Sequence, residues 1–258
     1  MKEVLIKEYN NLKNLRIKPK KDDFLYNIHF VEGAFCEIRG AEDTEFRIEF
    51  IDKKDGKFLH HHDINNNMWT RTNTRYFVDY LIRVKNRKTD EVIHECEYNA
   101  KGKRVMICFD SKAIGDTLAW FPYVEEFRKK HQCEVIVSTF HNEWFKDNYP
   151  DLEFIEPGDT AYNLYARYDI GWYYDKAEYD ENNTINFNKT PTDFRKNPLG
   201  KTCADILGLD FKEIKPKLTF KNTGSTIEGD YVVIAPHGSA HAKYWNREGG
   251  WQDVIDYL

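Results

Sequence analysis

Two short stretches place reactive side chains where open α/β sheets hold their ligands. In "FDSKAIGDTLAWFPY" (109–123), Gly115 and Asp116 follow the apolar run "VMICF" (105–109) and precede a helix-period segment. An acid at such a turn has two uses. It can cap the helix, accepting its first free N–H groups, or it can face the cleft as a general base. The second stretch, "HGSAHAKYW" (237–245), has the complementary chemistry. Gly238 and Ser239 supply backbone N–H groups and a hydroxyl ahead of a helix, and Lys243 adds a point charge. That set suits a diphosphate, although a polar loop with a solvated lysine reads the same way.

Other motifs fall away on inspection. "GKT" at 200–202 echoes a phosphate loop, but Arg195 stands where the motif needs its first glycine and no strand precedes it. His60, His61 and His62 have no carboxylate or cysteine at ligand spacing and read as the exposed edge of a hairpin. There is no GxSxG, HExxH or zinc ribbon. The net charge of −5 gives no electrostatic grip on nucleic acid or anionic membrane. No stretch approaches the ~20 apolar residues of a membrane span, and no signal peptide is visible. The five cysteines lie far apart without a CxxC pair, which reads as reduced thiols in a cytoplasmic protein. The sequons at Asn182 and Asn188 are then incidental.

These loops need a frame. Residues 1–20 form a short basic lead-in. From Tyr26 to Tyr98, strand-like runs ("YNIHFVEGAFCEIRG", "EFRIEFID", "RYFVDYLIRVKN", "EVIHECEY") alternate with turn-like "KKDGK", "NNN" and "RKTDE". Hairpins without a helix predict a small antiparallel sandwich or barrel. After residue 103 the style changes to alternating strand and helix. "VMICF" leads to a helix over 117–130, then come a strand at 134–140, a short helix around "NEWFKDNYP" and a strand at "EFIEP". That order predicts a parallel, Rossmann-like α/β sheet. A polar insertion (175–190) and a helix at "PLGKTCADILG" follow. "YVVIAP" (231–236) reads as a further buried strand, leading to a helix near Trp251. The expected division is a β-rich domain over 1–103, a Rossmann-like domain over 104–229, and the start of a second over 230–258, cut short at Leu258.

Taken together, the two loops resemble glycosyltransferase family 9, the heptosyltransferases. In that family a Gly-Asp turn is followed by a helix proline, here Asp116 and Pro122, and a second loop leads to Lys-x-Trp, here Lys243-Tyr244-Trp245. Proline inside a helix is costly, so this spacing is more specific than Gly-Asp alone. "FDSKAIGDTLAWFPYVEEFRKKH", "DFRKNPLGKTCADILGL" and "APHGSAHAKYWN" are similar to the bacterial autotransporter O-heptosyltransferases within that family. Two positions depart from the broader family: Gly238-Ser239 stand in place of paired threonines, and Asn246 in place of a proline.

The resemblance implies a GT-B glycosyltransferase in which the front β segment captures the acceptor. It implies an ADP-heptose donor, a serine hydroxyl of an adhesin as acceptor, and a homo-oligomer. Asp116 matches the general base. Gly115, Thr117, Gly238, Ser239, His241, Lys243 and Trp245 match substrate-binding positions, with Lys243 on the diphosphate. The family's iron site would fall beyond Leu258, so no metal ligand or cofactor is expected within this chain. A glycosyltransferase of lipopolysaccharide or surface glycan, and a binding module without turnover, stay open as alternatives.

Overall fold

The structure, a computed structural model, describes residues 24–40, 42–176, 183–219, 224, 227–238 and 243–258. The lead-in expected at 1–20 lies outside them. The chain divides into a unit ending at Thr219 and a second running from Phe220 to Leu258.

The first unit opens with seven strands in two antiparallel sheets. One has the order β1-β2-β5, with β1 Leu25–His29, β2 Phe35–Arg39 and β5 Met68–Arg71. The other has the order β4-β3-β6-β7, with β3 Glu45–Asp52, β4 Lys57–Asn65, β6 Tyr80–Asn86 and β7 Val92–Glu97. Strand side chains alternate between faces, and the period shows in the burial of Phe46, Ile48 and Phe50 on β3 and of Tyr80, Ile82 and Val84 on β6. Tyr26 of β1 stacks on His94 of β7 with ring centroids 4.1 Å apart, tying the sheets face to face. The β1–β2 turn requires glycine: Gly33 has φ +103°, and a Cβ there would sit 2.4 Å from the Thr72 carbonyl oxygen. The histidine run lies on β4, an edge strand, as its sequence context predicts.

A parallel sheet follows, in the order β10-β9-β8-β11: β8 Arg104–Phe109, β9 Glu134–Ser138, β10 Leu152–Phe154 and β11 Leu164–Ile170. The α/β character and the mixed parallel and antiparallel sheets agree with the sequence. β11 was not foreseen. Its polar alternates Arg167 and Asp169 break the continuous apolar run that marks a strand buried on both faces. Helix α1 (Ile114–His131) and helix α2 (Leu199–Ile206) cover one face. Phe109 packs edge-on against Trp120 of α1, and Phe121 stacks on Phe145. Pro122 is buried within α1, which runs on through it. "GKT" belongs to α2, where Lys201 pairs with Asp205 at 2.5 Å. "NEWFKDNYP" contributes a single 3₁₀ turn, Asn142–Trp144.

The β-rich and α/β segments share one core. Phe30 N–H donates to the Tyr165 carbonyl at 2.6 Å and its own carbonyl accepts from Arg167 N–H, which makes a parallel bridge onto β11. Phe77 N–H donates to the Ile206 carbonyl at the end of α2. The Phe77 ring fills the space beside Gly208, where φ is +63° and a Cβ would lie 2.1 Å from the ring.

The second unit holds helix α3 (Gly250–Tyr257), close to where sequence places it. The strand expected at 231–236 does not form: Tyr231, Val232 and Val233 are exposed and outside regular structure. An apolar β-branched run becomes a strand only beside another strand, and none pairs with it among the described residues.

His131 closes α1 against the β segment, ringed by Phe77, Tyr98 and Phe127. Burial, with a smaller contribution from Lys130, pushes it down to about 4. Below its unfolded value near 6.5 the unfolded chain therefore binds the proton more readily, so stability falls as pH drops from about 6.5 toward 4. Urea unfolding across that window should show this loss, and His131→Phe should reduce it, leaving the part due to His29, which burial also pushes down to about 4. An unchanged slope in the variant would remove His131 as its source.

Candidate active site at the carboxyl ends of β8 and β11

In the order β10-β9-β8-β11, the chain runs outward from β8 to β10 and then returns to β8's other side. The crevice where strand order reverses, at the carboxyl ends of β8 and β11, is the expected ligand site of an open parallel sheet. Asp116 lies there. Helix α1 begins three residues earlier than sequence suggests, because Gly115 is tolerated in its first turn. Ala113 is the cap residue and no side chain caps the helix. Asp116 is therefore the third helical residue, and the capping alternative fails.

Its carboxylate is instead held from two strand ends. Ser111 Oγ, in the loop after β8, donates to Asp116 Oδ2 at 2.6 Å, and Trp172 Nε1, two residues past β11, donates to the same oxygen at 2.9 Å. No hydrogen bond engages Oδ1 among the described residues, so one oxygen is fixed and the other is left without a protein donor. Ser111 is itself oriented, accepting from Ala113 N–H at 3.1 Å. The indole of Trp172 packs against Trp120 and Phe194. His141, stacked on Trp144, meets the Lys112 carbonyl at 3.0 Å and steadies the same loop.

The other expected site residues distribute unevenly. A Cβ on Gly115 would meet nothing within 4 Å, so the first turn of α1 fronts open space beside Asp116. Thr117 is corrected: it is fully buried, and its hydroxyl and N–H both donate to the Ala113 carbonyl, so it anchors the turn instead of facing a ligand. In the second unit, a Cβ on Gly238 would approach Lys243 Cβ to 3.0 Å, which places the glycine against the base of the lysine. Trp245 packs edge-on against Trp251 at 5.3 Å. Ser239 and His241 lie outside the described residues. Sequence reasoning missed Ser111 and Trp172. Ser111 stands five residues before the acid, but a partner past an unforeseen strand leaves no local signal.

Among the described residues no three His, Cys, Asp or Glu side chains are placed to hold a metal ion, and the five cysteines are all free. These residues do not fit an iron site. Nor is any helix among them long and apolar enough to cross a membrane.

An open α/β sheet with an oriented carboxylate at its switch point defines the site, and comparison with known proteins narrows the class. No family model matches the chain. It is 30% identical over 240 residues, 92% of its length, to the autotransporter heptosyltransferase BAHTCr of Citrobacter rodentium. It is 32% identical over 217 residues, 83% of its length, to the autotransporter heptosyltransferase Aah of Escherichia coli. These alignments cover 55% and 53% of the two relatives, so the chain spans about half their length. Its fold matches the dodecameric, iron-containing heptosyltransferase TibC in complex with ADP-D-β-D-heptose. There the TM-score is 0.75 at 26% identity, covering 94% of this chain and 60% of that one. The chain is thus a relative of the autotransporter heptosyltransferases in both sequence and fold.

Trp172→Phe should keep the ring packing and delete the bond to Asp116. We expect a several-fold fall in transfer rate with unchanged thermal stability. A variant as fast as the parent would show that the indole only packs.

Proposed function

We propose that this chain belongs to a GT-B heptosyltransferase that moves heptose from ADP-heptose to serine hydroxyls of an autotransporter adhesin, in the cytoplasm before export. The observation that carries this reading is the Asp116 carboxylate, one oxygen clamped by Ser111 and Trp172 and the other open at the switch point. A serine hydroxyl is a weak nucleophile until a base removes its proton. Asp116 takes that proton as serine Oγ bonds to the anomeric carbon. The bond from that carbon to the β-phosphate oxygen breaks, and ADP leaves. Lys243 and the backbone at Gly238, with Ser239 and His241, meet the charge developing on the diphosphate. The match to TibC supports the donor and an oligomeric assembly.

In this reading the β-rich segment captures the acceptor. Its β1-β2-β5 sheet presents a stacked row, His29 on Phe35 at 4.4 Å and Phe35 on Trp69 at 5.6 Å, with the Arg71 guanidinium near the indole. Trp69 is 55% exposed. Rigid aromatic faces of this kind contribute large contact area at low entropic cost.

Asp116→Asn should lower transfer to a serine-bearing passenger fragment by about 10²–10⁴-fold while ADP-heptose affinity holds. A parental rate in a folded variant would dismiss Asp116 as the base. Trp69→Ala should raise the KM for the passenger protein and leave slow donor hydrolysis as it was; an unaltered KM would remove that row from acceptor capture.

A further inference from the structure

Helices cover the parallel sheet on one face only. A connection between parallel strands ordinarily carries a helix of a dozen or more residues, but β10 returns to β11 through residues 155–163 without one. The face without a helix is readable from register: Met106 lies beside Arg167 and Ile136, and Cys108 beside Asp169 and Ser138; Met106, Ile136 and Ser138 are nonetheless buried, under the returning loop and its neighbours. Between this floor and the returning loop lies a cavity of about 610 Å³, walled by Gly158–Ala161 and reached by Arg75, Tyr173 and Lys189.

Two donors there lack hydrogen-bond partners, although Arg75 is ion-paired with Glu32. Tyr173 is 7% exposed and its hydroxyl makes no hydrogen bond among the described residues. Arg75 Nη1 is buried without one, and Glu32 Oε2, 3.8 Å away, is too distant to supply it. Orphaned buried donors are costly, which marks a place where acceptor oxygens belong. The charges nearly cancel: Arg75, Arg167 and Lys189 stand against Glu32, Asp110, Asp159 and Asp169. A diphosphate has no advantage in such a site. Asp110 and Tyr173 also line the smaller recess that Ser111 and Trp172 border, so the cavity opens toward the groups that hold Asp116.

We propose that this cavity is the subsite for the acceptor polypeptide flanking the reacting serine, gripped through its main chain: Tyr173 Oη–H and the Arg75 guanidinium donate to peptide carbonyls, and Asp110 accepts a peptide N–H. The inference rests on the reading of Asp116 as the base for a serine hydroxyl. Three features favour a peptide over a small ligand. The volume exceeds what a serine side chain needs, the cavity shares Asp110 and Tyr173 with the recess that Ser111 and Trp172 border, and the Tyr173 and Arg75 donors beside the Asp110 acceptor match the carbonyls and N–H groups of an extended chain. Recognition of this kind reads backbone more than side chains, so the subsite accepts varied sequences around the serine.

Cys108 on the floor provides a direct readout, since a ligand in the cavity covers its thiol. Burial pushes that thiol up to about 12, so alkylation by N-ethylmaleimide is slow and can be followed by peptide mass spectrometry. Cys96, similarly half-buried but on β7, serves as the internal control. With a synthetic serine-containing passenger peptide as probe, we expect protection of Cys108 and not of Cys96. Tyr173→Phe should raise the KM for the peptide about five-fold and Arg75→Gln about tenfold, each with kcat and ADP-heptose affinity little changed. Transfer to the peptide with Cys108 unprotected and both KM values unaltered would overturn the subsite and leave the proposed function standing. Protection without transfer would keep the subsite and count against the function. Protection of Cys108 by ADP-heptose alone, or by neither compound, would also overturn the subsite.

Discussion

The orientation of Asp116 depends on two bonds to its Oδ2, from the Trp172 indole and from Ser111 Oγ. A carboxylate on the first turn of a helix has rotational freedom, and its own helix supplies a cap for neither oxygen here. The indole comes from the far side of the crevice, past the end of β11, and Ser111 comes from the end of β8. Adjacent parallel strands thus converge on a single oxygen atom. Shifting β11 along β8 by one residue would turn every side chain of that strand to the opposite face and carry Trp172 out of reach. The register Asp169↔Cys108 and Ile170↔Phe109 is consequently a condition of the Asp116 geometry as much as of the fold.

The β-rich segment contributes to that register. Phe30 adds a bridge to the outer edge of β11, and its ring packs with Tyr80, Tyr98 and Tyr165. Tyr98 in turn bonds Tyr168 on β11 at 3.2 Å. The face that offers Trp69 and the strand that positions Trp172 therefore belong to one packed body. Acceptor capture and proton removal would be set at fixed separation within it.

Most of this was legible in local pattern, and the exceptions share a cause. The hairpins, "VMICF", α1 and Asp116 follow from periodicity and from a Gly-Asp turn. β11 did not, because Arg167 and Asp169 occupy the face that lacks a helix, and their polarity disguises the strand. Trp172 was lost with it. The run at 231–236 failed in the opposite direction: apolar composition promised a strand, but composition carries no information about whether a neighbour is present. Helix α1 was placed late because glycine is a poor helix former, a penalty that matters less in a first turn. The resemblance places Thr117 with Asp116 in the site, but neighbouring residues on a helix point about 100° apart, and Thr117 turns inward.

The Phe30 bridge has a consequence for biogenesis. Residue 30 leaves the ribosome long before Ala166, its partner, and translation runs at roughly 5–20 residues per second. For those seconds the end of β1 is an unpaired edge on a nascent sandwich, the kind of template that invites pairing with another chain. The outer edge of β11 closes it only after the parallel sheet has been made. A short interval of vulnerability during synthesis, ended by the strand that also leads to the Trp172 bond on Asp116, follows from the chain's topology.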